Sequence, residues 1–204
     1  MGVGSLGLDD DAGLQARCRG ARILVGVCGG ISAYKSATVV SRLAQWGAEV
    51  TVAMTPGATR FVSALTFQAL SGRPVYTSPW EHVESQDPQH IALASRADAA
   101  LVAPCTMDAM ARLATGRADD VVTLILSAVD RARTPVLLAP AMNSVMWAQP
   151  ATQRNRATLA ADGFAFVGPD SGWQACRHVG EGRMAEPEAI LAKLGELLAG
   201  RATA

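Results

Sequence analysis

The stretch Arg22-Ile23-Leu24-Val25-Gly26-Val27-Cys28-Gly29-Gly30-Ile31-Ser32 decides the fold. A short apolar run follows Arg22 and is closed by a glycine pair, which suits a strand buried on both faces. From Ser32 to Trp46 the pattern changes to a helix, with Val39, Val40, Leu43 and Ala44 on its apolar face. Gly47 ends that helix, and Ala48-Glu49-Val50-Thr51-Val52-Ala53-Met54 reads as the next strand.

The alternation recurs downstream. Residues 97–103 form a strand stopped by Pro104, and helical patterns cover 107–115 and 119–128. A strand over 134–139 is ended by Pro140, a helix over 151–162 precedes a short strand at 164–167, and a last helix covers 187–198. Strands alternating with helices predict an α/β fold, a parallel sheet with right-handed crossovers and helices on both faces. Residues 1–20 mix glycine with Asp9-Asp10-Asp11 and lack periodicity, so they read as a flexible N-terminal leader outside a domain spanning 21–204.

Composition narrows the function. The 204 residues suit one domain with a real core, half of them apolar but only 5% aromatic. Lys plus Arg (18) balance Asp plus Glu (18), so there is no basic field for nucleic acid or an anionic membrane. A neutral, mildly hydrophobic chain points to apolar surface covered by other subunits. Cys18, Cys28, Cys105 and Cys176 form no CxxC pair, which argues against a disulfide scaffold or zinc cluster and for a reducing cytoplasm. The N-terminus has no signal-peptide pattern, Leu6 stands where a myristoylation start wants Ser or Thr, and no apolar run reaches the roughly 20 residues of a membrane span.

In parallel α/β sheets, ligands collect outside the carboxyl ends of the strands. Three segments lie there: 29–32, 104–108 and 140–147. In Gly29-Gly30-Ile31-Ser32-Ala33-Tyr34-Lys35, glycines allow close approach of a ligand and the helix start offers free N–H groups to an anion. The spacing is neither GxGxxG nor a P-loop, and the same residues also make a plain tight turn with an N-cap. In Pro140-Ala141-Met142-Asn143-Ser144-Val145-Met146-Trp147, an amide that can donate to a carboxylate precedes an apolar pair; a simple N-cap over packed Met146 and Trp147 is the competing reading. Residues 172–184 hold glycines, Cys176, Arg177 and His178 without a period, and read as a long binding loop or lid. Cationic neighbours would favour a Cys176 thiolate, or the thiol would act as an acid; an incidental surface thiol fits equally. His90 opens a helical stretch, and it, His82 and His178 have no metal-ligand spacing.

Taken in order, these segments resemble the flavin-containing cysteine decarboxylases from about Arg22 to Leu198. The resemblance rests on Gly29-Gly30-Ile31-Ser32, His90, Ala103-Pro104 with Thr106, Pro140-Ala141-Met142-Asn143 with Met146-Trp147, and Ala175-Cys176 with Gly182-Arg183-Met184. It implies a flavodoxin-like (Rossmann-like) three-layer sandwich, assembled as a homotrimer or a dodecamer of trimers, with FMN at subunit contacts. It implies that Gly30, Ile31, Ser32, Thr55, Thr106, Met107, Asp108 and Ala141 hold FMN. Asn143, Met142, Ala175, Arg183 and Met184 would hold the substrate, and His90 and Cys176 would be catalytic.

The activity implied is decarboxylation of 4'-phospho-N-pantothenoyl-L-cysteine through a thioaldehyde and an enethiolate, with phosphopantothenoylcysteine synthetase acting upstream. Cys176 would protonate the enethiol, a step that relatives acting on the C-terminal cysteine of a ribosomally made peptide do without. Arg177 stands where many relatives carry Gly, and His178 where an acidic residue is common. The synthetase domain of many bacterial relatives does not appear in this sequence, which a stand-alone decarboxylase and a fragment would both explain. Flavin prenyltransferases share the fold but lack the Pro-Ala-Met-Asn segment. Regulatory binding relatives rely on acidic extensions, against which the presence of His90, Asn143 and Cys176 argues.

Overall fold

A computed structural model describes residues 8–81 and 88–201. Strand β1 (Arg22–Val27) forms where the apolar run predicts it. Ile23, Val25 and Val27 point to one face of the sheet and Leu24 and Cys28 to the other, and all five are buried. That alternation, doubly buried, is why the run carries no polar face. Before β1 lies α1 (Leu8–Cys18), and after it come α2 (Ala33–Gln45), β2 (Glu49–Met54), a 3-10 turn (Ala58–Arg60), α3 (Ala64–Ser71) and β3 (Val75–Tyr76). The chain continues through α4 (Gln89–Arg96), β4 (Ala99–Cys105), α5 (Met107–Ala114), α6 (Val121–Ser127), β5 (Val136–Pro140), α7 (Ser144–Ala148), α8 (Pro150–Ala161) and β6 (Ala165–Phe166). It ends with a hairpin of β7 (Asp170–Trp173) and β8 (Val179–Arg183), then α9 (Pro187–Arg201).

The six-stranded sheet has the order β3-β2-β1-β4-β5-β6, with every pairing parallel. The chain winds outward from β1 in one direction and from β4 in the other, so the switch point lies between β1 and β4. One core packs Val39, Leu43, Ile190 and Leu194 of α2 and α9 on the sheet; the other packs Val122, Ile125 and Leu159 of α6 and α8. The result is the flavodoxin-like α/β sandwich of helices, parallel sheet and helices. A buried leucine such as Leu101 stabilises it by about 2–5 kcal/mol relative to alanine.

Three expectations are corrected. From Leu8 onward the expected leader is not loose: α1 packs on α9, with Leu14 and Cys18 buried, and an added Cβ on Gly195 would lie 2.0 Å from Leu14 Cδ1. Its apolar positions are too few to show a period, and the contact that holds it comes from the far end of the chain. Residues 1–7 and 202–204, like His82, lie outside the described residues. Pro104 does not stop β4, which runs on through Cys105, whereas Pro140 is the last residue of β5. The ladder between β4 and β5 shifts register between Val102 and Cys105, so the absent N–H of Pro104 leaves no rung broken. The expected long loop over 172–184 is largely the antiparallel β7–β8 hairpin, whose polar, glycine-rich strands hide the period of two. Among the described residues no helix is long and apolar enough to cross a membrane, and no cluster of His, Cys, Asp and Glu could hold a metal ion.

Candidate active site

A crevice of about 1030 Å³ opens at the carboxyl ends of β1, β2, β4 and β5, around the switch point. Four turns build its floor. The first is Gly29-Gly30-Ile31-Ser32 between β1 and α2. A Cβ on Gly29 would sit 2.7 Å from the Gly57 carbonyl carbon, so the turns after β1 and β2 touch backbone to backbone. Only glycine fits there. Ser32 precedes α2 without a side-chain capping bond and lines the crevice. Thr55 opens the second turn and accepts from Ala58 N at 3.3 Å.

The third turn begins α5. Thr106 caps it by accepting from Ala109 N at 3.2 Å, and Met107 and Asp108 follow on the crevice wall. Asp108 binds Arg112 at 2.8 Å, and Arg112 also pairs with Asp119. The Arg112 guanidinium is pushed up by its bond to Asp108 and then to Asp119, and, against desolvation, Arg112 and Arg117 pull the Asp119 carboxylate down. The fourth turn delivers Ala141, Met142 and Asn143 from β5. Asn143 is the N-cap of α7, its Oδ1 accepting from Val145 N at 2.8 Å. The capping expectation for this residue is therefore met, and its amide nitrogen is still turned to the crevice: Nδ2 donates to Cys176 Sγ at 3.1 Å.

The hairpin forms the roof. Met142 N donates to Gly182 O at 2.9 Å, and Gly182 has φ 136°, with a virtual Cβ 2.4 Å from Met142 O. Ala175, Cys176, Arg183 and Met184 line the crevice from this side. Cys176 is exposed, whereas Cys18, Cys28 and Cys105 are buried, and all four are free. Burial pushes the Cys28 thiol, at the crevice floor, up to about 12. At the hairpin base, Lys35 Nζ pairs with Glu186 at 3.0 Å and donates to Met184 O at 3.3 Å. Burial, with Arg183 nearby, pulls the Lys35 ammonium below its ordinary value.

Every candidate cofactor and substrate residue read from the sequence, together with Cys176, lines this one crevice. His90 does not. It stands half-buried in the first turn of α4, outside the crevice wall of its own chain. Because Asp98 N donates to Arg22 O at the start of β1, α4 runs toward the amino edge of the sheet and begins nearer the carboxyl edge, where the crevice opens. Sequence reasoning missed Gly57, Arg112 and Gln174 as wall residues. Gly57 was findable, since it follows a strand at its carboxyl end. Gln174 carried no signal, because its partners on α7, on β8 and at Cys176 meet only through a hairpin that the sequence did not reveal.

The chain's sequence matches the family described as Flavoprotein over residues 14–199. It is 47% identical over 174 residues to the coenzyme A biosynthesis bifunctional protein CoaBC of Bacillus subtilis (strain 168), covering 85% of this chain and 42% of that protein. The chain thus spans about two fifths of the length of the curated relatives it matches. Among solved structures, a PPC decarboxylase variant complexed with pantothenoylaminoethenethiol superposes with a TM-score of 0.79 at 29% identity, covering 86% of this chain and 97% of that one. The FMN-dependent cysteine decarboxylase SpaF superposes with a TM-score of 0.76 at 29% identity, covering 91% and 99%.

Proposed function

The chain belongs to the flavoprotein family, and on that premise we propose that it is an FMN-dependent decarboxylase of 4'-phospho-N-pantothenoyl-L-cysteine in coenzyme A synthesis. The observation that carries the reading is the Asn143–Cys176 pair, an amide donor 3.1 Å from a thiol, over a crevice floored by glycine turns. The floor fits a flavin nucleotide: Gly29 and Gly30 leave backbone bare, Ser32 keeps a free hydroxyl at the start of a 13-residue helix, and the crevice is at the upper end of ligand-pocket sizes. Bound FMN would supply the two-electron chemistry without which loss of CO2 from a cysteine leaves an unstabilised carbanion.

The chain's own residues do the rest. Gly30, Ile31, Ser32, Thr55, Thr106, Met107, Asp108 and Ala141 would hold the cofactor. Asn143 Nδ2 would receive the substrate carboxylate while Oδ1 stays committed to the α7 cap. Met142, Ala175, Arg183 and Met184 would enclose the cysteinyl end and exclude water. Cys176 would give its proton to the enethiol that remains after CO2 leaves. His90 would move a proton during oxidation, a contribution of about 100- to 10,000-fold in rate. Since it lies outside its own crevice, we propose that it acts from a neighbouring copy in a homotrimer or dodecamer of trimers. The exposed Phe61, Leu65, Trp80 and Ile91 support such an assembly. The free thiols support a reducing cytoplasm, and phosphopantothenoylcysteine synthetase would act upstream.

The deciding experiment is a mass spectrum of the product after the FMN-loaded protein meets phosphopantothenoylcysteine. Loss of CO2 alone is expected. Loss of CO2 and two hydrogens, or no reaction with FMN bound, would transfer the assignment to a peptide C-terminal cysteine. Light scattering tests the assembly, and a monomer that turns over would overturn the role of a second copy's His90.

A further inference from the structure

The β7–β8 hairpin carries the candidate acid, yet it is poorly covered: Trp173 and Val179 are exposed. Besides the Met142–Gly182 bond and the base at Lys35 and Glu186, one side chain at its turn ties it over the crevice. Gln174 is 7% exposed, and each end of its carboxamide is used on both sides. Oε1 accepts from Ser144 N at 3.2 Å, in the first turn of α7, and from Cys176 Sγ at 3.5 Å. Nε2 donates to Gly180 O and Glu181 O, each at 3.2 Å, on β8. Its backbone closes the turn, Gln174 N donating to His178 O and Arg177 N to Gln174 O, both at 2.9 Å.

These bonds have a chemical consequence. Cys176 Sγ accepts from Asn143 Nδ2 and donates to Gln174 Oε1, so the thiol hydrogen has a fixed direction and the sulfur's lone pairs face the amide. Ser144 N, Cys176 and the two β8 carbonyls all converge on one amide group, which a buried amide tolerates only because all its partners are present. We infer that Gln174 is a positioning residue: it locks the hairpin to the start of α7 so that Asn143 and Cys176 enter the reaction as one unit, with the thiol held in a fixed place. The inference rests on the decarboxylase reading above. The proton leaves Sγ for the substrate and the thiolate is reprotonated from water, so the step needs no oxidant or reductant beyond the cofactor's own two electrons.

Two variants separate the two arms. Gln174→Met keeps the volume and removes every side-chain bond. Gln174→Glu keeps an oxygen for Ser144 N and the thiol, but sets a second oxygen against the Gly180 and Glu181 carbonyls. With FMN bound and phosphopantothenoylcysteine as substrate, both variants are expected to raise KM, by about tenfold for a loosened wall. Gln174→Met alone is expected to release product lacking CO2 and two hydrogens, because the thiol is no longer held in place; Gln174→Glu keeps the product of the wild type. A wild-type KM and product ratio in Gln174→Met would overturn the inference. So would unchanged hydrogen exchange at the Ser144 amide in that variant, a measurement made without substrate. If the wild-type protein itself fails to decarboxylate this substrate, the function is wrong, and the Ser144 exchange still decides whether Gln174 is the tie.

Discussion

The glycine turn after β1 and the β7–β8 hairpin face each other across one crevice, but different forces hold them. The turn continues a strand whose side chains are buried on both faces, and its backbone lies against that of Gly57. Its geometry is a consequence of the core, and nothing local can relax it. The hairpin hangs outside both cores. It is held by the Gln174 amide, the Met142–Gly182 bond and the base at Lys35 and Glu186. The floor of this site is therefore as stable as the fold, while the roof is as stable as a handful of polar bonds. Opening free energies differ accordingly within one protein. A floor suited to retaining a cofactor and a roof suited to admitting a substrate follow from that difference.

Substitutions at the close contacts test it most severely. Gly29→Val places its Cβ where only 2.7 Å separates it from Gly57 backbone, so neither turn can give way. We expect loss of flavin absorbance in the purified protein and a large fall in Tm. A variant that folds and holds FMN normally would show that the floor is pliable. Gly182→Ala meets the Met142 carbonyl at 2.4 Å from a backbone with φ 136°. Here the roof should shift and the floor should not. Turnover falls by about 100-fold, as for a reacting group displaced by an ångström, while FMN stays bound. Simultaneous loss of FMN would erase the distinction between the two walls.

Smaller effects sharpen it. Asn143→Asp keeps an oxygen for the Val145 cap, since Asp caps as well as Asn, and removes the Nδ2 donor. Thermal stability should stay near that of the wild type while turnover drops through repulsion of the substrate carboxylate. A wild-type rate would refute the assignment of that amide. Cys176→Ser should still bind FMN and release CO2, but yield the oxidised product; the wild-type product would remove Cys176 as the proton donor.

The weakest effect lies in the thiols. Iodoacetamide on the native protein should label Cys176 and spare Cys18, Cys28 and Cys105, because only Cys176 is exposed. Burial pushes the Cys18 thiol up to about 11 and the Cys28 thiol up to about 12 from an ordinary 9.0. Up to about pH 8 these thiols are largely neutral in folded and unfolded chains alike. Above it the unfolded thiols ionise first, so stability falls as pH rises toward the folded values. A melting series from pH 8 to about 10.5 should decline, and less steeply in Cys28→Ala, by up to about 1.4 kcal/mol per pH unit for that thiol. Equal slopes would place Cys28 outside the rigid floor.

The sequence determined the sheet and its floor. The apolar runs at β1, β2, β4 and β5, each closed by Gly or Pro, mark buried parallel strands, because only a strand covered on both faces dispenses with polar alternation. From that alternation alone the ends of β1, β4 and β5 had to approach one another, and the residues after them do line one crevice. Tertiary structure decided what pairs weakly or at long range. Helix α1 exists because α9, far along the chain, covers Leu14; the hairpin exists because Gly172, Gly180 and Gly182 can approach Arg183, Ser144 and Met142. The Asn143–Cys176–Gln174 network joins residues 33 and 2 positions apart by bonds that no local pattern encodes. Hydrophobic burial repeats with the period of the element and so is written in the sequence, whereas a hydrogen bond between distant polar groups has no period and appears only once the chain has folded.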